Sequence, residues 1–455
     1  MYKTTLKDLP SVNEVLHCIS DLISLNNRYL KYLIVSEINR VRYKIKNKKV
    51  FKSRVELLEY LIDRVLLRSS PRLVNIINGT GIVLHTGFGR APFEAKIFKN
   101  IANVANGYLN LEYDLFTGKR GDRQSHVREY ISAICGSESS LVVNNNAAAV
   151  MLAINQIAEN GEVIISRGQI VEIGGSFRIP DIIEKSGAFL KEVGTTNRTN
   201  IKDYKNSINK NTKLILWVHT SNYVVKGFTE SVPLDQLVQL GNEHNIPVMV
   251  DWGSGSFLNM QTLNIADEIP VNKIMKSNPD ILTFSGDKLI GGPQAGIIIG
   301  KKKIVNLIQE NILYRVLRID KINLCFLEKT LRSYKSNSFT NKNLSLKLLT
   351  TSRKTLKNRA KKILEYQTNK KIKELNIKIL ETEVEAGSGS LPENKIESAA
   401  FVFSPRNRKV KDLAVSFRCG PIPVVGYIKG NKYFIDLKAV LPNQIKRLTK
   451  AIQEV

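Results

Sequence analysis

A lysine stands in Ser285-Gly286-Asp287-Lys288-Leu289-Ile290-Gly291-Gly292-Pro293, directly after the apolar run Ile281 to Phe284. Past a buried strand and in a glycine-rich turn, partial desolvation lowers the pKa of an amine, and small neighbours leave space for an aldehyde. Exposed turn lysines are far commoner, so this turn needs a second signal. It comes from Ile246 to Val250, which runs straight into Asp251 and then Trp252-Gly253-Ser254-Gly255-Ser256. A carboxylate at a buried strand end can keep a pyridine nitrogen protonated, which turns the ring into an electron sink for a carbanion. Its ordinary alternative is a helix cap. The aspartate and the lysine, 37 positions apart, follow the order used by enzymes that carry pyridoxal 5'-phosphate (PLP) as a Schiff base on lysine.

Further segments match other parts of that cofactor. Leu141-Val142-Val143-Asn144-Asn145-Asn146-Ala147 reads as a strand-to-helix junction, where free backbone N–H groups and the helix dipole can take a phosphate. Three successive asparagines exceed what a plain cap needs. Asn145, Asn146, Ala147 and Ser285 are therefore the expected phosphate contacts, and Asn222 in His219-Thr220-Ser221-Asn222 is expected beside the phenolic oxygen. His219 itself reads as a core or supporting histidine. Lys288, or its neighbour Asp287, is the candidate for moving the Cα proton. Arg90, Arg123, Arg315 and Arg318, the first two flanked by glycines, suit capture of a small oxyanion, against the alternative of surface salt bridges.

These residues need a scaffold that gathers strand ends. Short apolar strands at Ser140 to Val143, Val163 to Ser166, Leu214 to Val218, Pro247 to Val250, Ile281 to Phe284 and Gly296 to Ile299 alternate with helical segments. That alternation predicts an α/β fold with a mostly parallel sheet covered on both faces, whose ligands bind beyond the carboxyl ends of the strands. Three domains are expected: 1–65, helical and basic; 66–330, a linker and the large PLP-binding domain; and 331–455, a small α+β domain. In the first, Val12, Val15, Leu16, Ile19, Leu22 and Ile23 recur at helical spacing, with Ser11 as N-cap and Glu14 as its capping-box partner. A second run, Leu30 to Ile38, leads into Arg40 to Arg54, which carries eight basic residues and no acid. Within it, Arg40, Arg42, Lys44, Lys46, Lys48 and Lys49 are candidate RNA contacts, and Tyr43 and Phe51 offer faces for stacking. The last domain opens with a basic helical stretch, Leu346 to Leu375, followed by strands near Ala400 to Phe403, Val424 to Ile428 and Tyr433 to Leu437. It holds 26 basic against 10 acidic residues, a net of +16.

Over all 455 residues the net charge is +27, far beyond what small-molecule metabolism requires and suited to a polyanionic partner. Biased composition is the competing explanation. Cys18, Cys135, Cys325 and Cys419 lack metal or disulfide spacing, so reduced thiols and no metal are expected. Met1 to Pro10 has no apolar signal core, and no stretch reaches the ~18 apolar residues of a membrane span. A cytoplasmic enzyme, with neither membrane nor DNA as partner, is the expectation.

The chain also resembles the bacterial selenocysteine synthase (L-seryl-tRNA(Sec) selenium transferase) family over essentially its whole length. The matching blocks include Leu9-Pro10-Ser11-Val12, Ile77-Asn78-Gly79-Thr80-Gly81, Gly107 to Asp114, Gly174 to Pro180, Gly194 to Thr199, His219 to Tyr223 and Ser285 to Lys288. The resemblance implies an aminotransferase-like (fold type I) PLP enzyme and a homodecameric ring of dimers with active sites at dimer interfaces. It further implies an N-terminal domain that reads tRNA(Sec), and dehydration of seryl-tRNA(Sec) to aminoacrylyl-tRNA followed by selenium transfer from selenophosphate. Two positions depart from the family pattern: Trp252, where a smaller aliphatic residue is usual, and Tyr427, where a basic one is common. The alternative is a PLP lyase or dehydratase for a free amino acid or amino sugar acid, against which the basic N-terminal segment speaks. A cysteine desulfurase or selenocysteine lyase would need a nucleophilic cysteine on a loop, which none of the four obviously occupies. A non-catalytic tRNA-binding protein would not need both Asp251 and Lys288.

Overall fold

The computed structural model describes residues 5–47, 51, 53–173, 177–220, 223, 225–263, 265, 268–335, 342–389 and 395–455. The chain divides into two compact units, residues 1–76 and 77–455. Among the described residues no helix is long and apolar enough to cross a membrane.

The first unit is three helices, α1 (Val12–Ile19), α2 (Asn27–Lys46) and α3 (Arg54–Ser69). α3 continues past position 65, where the sequence suggested a boundary. Leu30, Leu33, Ile34, Ile38 and Val41 recur at helical spacing along α2 and meet Leu57, Leu61 and Val65 of α3 in one core. Ser11 caps α1 by accepting the Glu14 N–H at 3.1 Å. The Glu14 carboxylate, expected to complete a capping box, instead binds Arg54 at 2.7 Å. Glu37 is buried at 2% exposure and is bound by Arg40 and Arg68, each at 2.8 Å, which ties α2 to α3.

Two expectations for the basic run change here. The run contains no acid, yet Glu37 reaches Arg40 from one turn earlier on the same helix, and Glu14 reaches Arg54 because folding brings α1 alongside α3. Phe51 is no stacking face: it is 4% exposed and packs on Tyr60 in the core. Tyr43, 70% exposed, does offer one, as does Tyr32 three turns earlier on the same helix face. Lys48, Lys49 and Lys52 lie outside the described residues.

The second unit centres on a seven-stranded sheet: β1 (Ser139–Val143), β2 (Glu162–Ser166), β3 (Phe189–Val193), β4 (Thr212–Val218), β5 (Val248–Asp251), β6 (Ile281–Ser285) and β7 (Gly296–Gly300), in the spatial order β1-β7-β6-β5-β4-β2-β3. Only β7 runs antiparallel to its neighbours. Successive residues enter different cores: Leu141, Ile281 and Ile298 face one side, while Val142, Leu282 and Ile297 face the other. Both faces are therefore covered, which explains the near-continuous apolar strands. β3 has no counterpart among the expected strands. It is one of the two edge strands, paired with β2 alone, and unlike the buried β1 at the other edge its Phe189 and Glu192 are exposed, so its burial pattern is weak.

The chain ends on an antiparallel sheet, β8 (Ile377–Val384), β9 (Ile396–Phe403), β10 (Tyr427–Lys429) and β11 (Lys432–Asp436), ordered β8-β9-β11-β10. The expected strand Val424 to Ile428 is split at Gly426, where any Cβ would collide with the Phe434 carbonyl oxygen. Val424–Val425 pairs in parallel with Ile77–Asn78, and Tyr427 begins β10. The basic stretch Leu346 to Leu375 is three helices, Leu344–Thr350, Arg353–Glu365 and Asn369–Leu375, with Ser352 and Thr368 capping the second and third. Leu344, Leu346 and Leu349 share a core with Val83, Leu84 and Leu289, so contacts cross the boundary expected near 330.

Candidate active site

The parallel strands deliver four segments to one edge of the large sheet. β1 leads into Asn144 to Asn146, β4 into His219, β5 ends on Asp251, and β6 leads to Asp287 and Lys288. Pairing of β5 with β4 and β6 puts Asp251 opposite Val218 and Thr283, which sets these strand ends level.

Lys288 is 3% exposed and Asp251 is equally buried. Asp251 Oδ1 accepts from Asn146 Nδ2 at 2.9 Å and from Thr283 Oγ1 at 3.2 Å. A Cβ placed on Gly253 would lie 3.7 Å from Lys288 Nζ and 4.0 Å from Asn146 Nδ2, so this glycine keeps open the space shared by the lysine and the asparagine. Burial pushes the Asp251 carboxyl up, opposed by Asn146, Lys288 and Thr283. Burial, helped by Arg90, pushes the Lys288 ammonium down, against the pull of Asp251, Asp287 and Glu268. A lysine whose neutral form is favoured is a competent nucleophile.

Asp287 is bound by Arg90 at 2.8 Å. Arg90 adopts a left-handed backbone, φ 58°, uncommon for a residue with a Cβ, and its N–H donates to the His85 carbonyl at 3.0 Å. His219 stacks on Trp252 with ring centroids 3.8 Å apart and planes 10° from parallel. Burial and then Lys288 lower its pKa to about 4, so the imidazole is neutral.

The asparagines divide their work. Asn145 caps the helix Asn146–Ala158 through Oδ1, accepting the Ala148 N–H at 2.9 Å. Its side chain thus does what an ordinary N-cap does, while the first N–H groups of that 13-residue helix point to the sheet edge where an anion can sit. Asn146 reaches back to Asp251, and its buried Oδ1 has no hydrogen-bond partner among the described residues. Ser285 is buried at the end of β6. Asn222 lies outside the described residues.

The four arginines take three separate positions within one chain. Arg90 joins Asp287. Arg123 and Arg318 converge instead on Glu112, at 2.7 and 3.0 Å, where Arg120 joins them at 3.1 Å. Burial raises the Glu112 carboxyl, but these arginines outweigh it and hold it below its ordinary value. The backbone of Arg318 pairs with Val143, and Leu317 O accepts the Asn144 N–H at 2.9 Å, so this group borders the asparagine turn. Arg315 is exposed on the helix Ile312–Leu317.

Sequence reasoning missed Thr283 and Glu112. Thr283 was accessible, since strand alternation puts it on the face of Ser285. Glu112 carried no capping or periodic signal: Arg120 and Arg123 lie 8 and 11 positions on, beyond the reach of a helical turn, and Arg318 lies 206 away.

The site fits a pyridine aldehyde phosphate: a buried lysine with its amine destabilised as a cation, a buried carboxylate, an unpartnered amide oxygen, a glycine-lined space and a helix N-terminus lie together. Comparison with known proteins agrees. The family described as L-seryl-tRNA selenium transferase matches residues 76–441. The L-seryl-tRNA(Sec) selenium transferase of Carboxydothermus hydrogenoformans is 41% identical, covering 99% of this chain and 97% of its own. That of Aquifex aeolicus is 38% identical over 100% and 99%. Among solved structures, a D-glucosaminate-6-phosphate ammonia-lyase superposes with a TM-score of 0.59 at 18% identity, covering 84% of this chain and 95% of that one. The likeness establishes the fold, an aminotransferase-like α/β architecture.

Proposed function

The chain belongs to the L-seryl-tRNA selenium transferase family, and on that premise we propose that it converts L-seryl-tRNA(Sec) to L-selenocysteinyl-tRNA(Sec), with selenophosphate as the selenium donor. The observation that carries this reading is the buried pair of strand ends, Asp251 held by Asn146 and Thr283, and Lys288 facing Gly253.

PLP, when bound, supplies an electron sink that makes the seryl Cα proton acidic and lets the β-hydroxyl depart. Lys288 would hold the cofactor and, once released by the incoming amine, take the Cα proton. Its lowered pKa favours the free amine that this role needs. Asp251 would face the ring nitrogen, with Asn146 fixing its orientation. The helix N-terminus at Asn145, Asn146 and Ala147, with Ser285, would receive the phosphate, and Asn222 would take the phenolic oxygen. Asp287 positions Arg90 through their ion pair.

Arg90, Arg123, Arg315 and Arg318 would hold the anionic selenium donor, drawn from both subunits of a dimer within a decameric ring. The Glu112 cluster supports this by keeping Arg123 and Arg318 ordered beside the asparagine turn. Replacing Arg90 or Arg318 by alanine should impair selenium transfer more than cofactor binding, by about 1.5–3 kcal/mol per charge-assisted contact. Residues 1–65 would read the tRNA through the exposed face of α2, where Arg42 and Lys46 flank Tyr43. Arg40 and Lys44 contribute there less freely, since Glu37 and the Tyr60 hydroxyl engage them.

The deciding experiment incubates the purified holoenzyme with seryl-tRNA(Sec) and follows loss of the seryl hydroxyl, then selenium incorporation on adding selenophosphate. Turnover of free serine or an amino sugar acid with none of seryl-tRNA(Sec) would favour the lyase alternative.

A further inference from the structure

One cavity beside the site shares Arg90 and Asp287 with it, but the rest of its wall has no part in the roles above. Its volume is about 430 Å³, within the ~300–1,000 Å³ typical of small-ligand sites, and its wall includes Arg90, Asp287, Phe93, Phe98, Gln294 and Phe326. We propose that this cavity is the subsite for the 3'-terminal adenosine of the aminoacyl-tRNA, with the adenine laid on Phe98 and read by Gln294. The proposal rests on the function above and names the part of the substrate that this wall receives.

Substrate chemistry sets the location. The seryl group is esterified to the ribose of the terminal nucleoside, so presenting its Cα to Lys288 leaves the base one sugar away from the lysine. Asp287 is the residue before Lys288 and lines the cavity together with its partner Arg90. Seryl site and cavity thus share a wall.

Aromatic geometry suits a base. Phe326 is buried and fixes two other rings, Phe93 at 4.7 Å and Phe98 at 5.0 Å between centroids. Phe93 and Phe98 stand edge to face at 89°. Phe98 is nevertheless 54% exposed, which leaves a rigidly supported ring face open at the mouth of a polar site. Unstacked bases are commonly held on such faces.

The amides favour adenine among bases. A carboxamide can accept from adenine N6 and donate to N7 at once, whereas a 6-oxo purine meets its acceptor with another acceptor. Asn323, also on the wall, already donates to Asp320 at 2.7 Å. Gln294 is exposed, and no hydrogen bond engages its side chain among the described residues.

The test titrates the holoenzyme calorimetrically with 3'-deoxy-3'-(L-serylamino)adenosine, its inosine counterpart and L-serinamide. The adenosine compound should bind at least tenfold more tightly than serinamide. Phe98→Ala should remove roughly tenfold of that gain while leaving serinamide unchanged, as expected for one base stacked on one ring. Gln294→Leu should abolish the preference for adenosine over inosine. Equal binding of adenosine compound and serinamide would overturn the subsite, and so would wild-type affinities in both variants. A Phe98→Ala change that alters the oligomer mass but not the affinity would assign Phe98 to a subunit contact instead and likewise overturn it. Seryl-tRNA(Sec) dehydration in the same preparations keeps the two readings apart: turnover without a base effect removes only the subsite, whereas absent turnover removes the function.

Discussion

The helical unit and the strand-end site both bury charge, and they do so to opposite ends. In the helices, Glu37 is enclosed and answered by Arg40 and Arg68 at hydrogen-bonding distance, so the charge acts as a fastener between α2 and α3. At the sheet edge, Asp251 and Lys288 are equally enclosed but held by neutral donors and by glycine-lined space, and burial shifts both against their charged forms. A buried charge that is fully paired holds structure; one left short of pairing is available for chemistry.

The contrast can be broken most directly at Lys288. Lys288→Ala should lose all detectable dehydration, and borohydride reduction of the wild-type holoenzyme followed by peptide mapping should put the pyridoxyl group on Lys288; its recovery on another lysine would refute the assignment. Asp251→Asn should keep part of the cofactor yet lower dehydration ~10²-fold or more, the scale for losing one preorganised electrostatic partner. Glu37→Gln leaves Arg68 without its carboxylate and should destabilise the helical unit by about 3 kcal/mol, at the low end for breaking a buried pair because Arg40 remains solvated. Its urea unfolding curve reports this, and the cofactor absorbance should not change.

Smaller effects sharpen the comparison. Arg42→Glu with Lys46→Glu should weaken tRNA binding about tenfold and flatten its salt dependence, each lost phosphate contact removing ~0.7–0.9 from the log–log slope. Dehydration at saturating tRNA should be retained. A last effect, confined to acid pH, belongs to His219. Its folded pKa of about 4 lies below the unfolded value near 6.5, so the unfolded chain binds the extra proton. Stability from this group is complete above pH 6.5 and falls as the pH drops towards 4. His219→Phe should lose that acid sensitivity in urea melts across this window.

Lys288, Asp251 and the asparagine turn were legible because each sits where an apolar run stops, and a strand followed by a glycine-rich or capping turn is a local pattern. The same logic identified six of the seven strands of the large sheet and failed at β3, an edge strand with exposed residues, whereas the opposite edge strand β1 is buried throughout and reads as an apolar run. Phe51 was misread for a related reason: an aromatic among lysines looks solvent-facing until α3 folds over it.

The sequence by itself thus determined which residue types stand at the strand ends, the α/β alternation that gathers them, and the basic helical N-terminus. Only the tertiary structure decided the partners: Asn146 for Asp251 across 105 positions, Arg90 for Asp287 across 197, and Glu112 for Arg318 across 206. Backbone periodicity and capping act over one to four residues and leave a trace in composition. Side-chain pairing acts through space, and the packing that brings distant segments within 3 Å leaves no such trace in either segment alone.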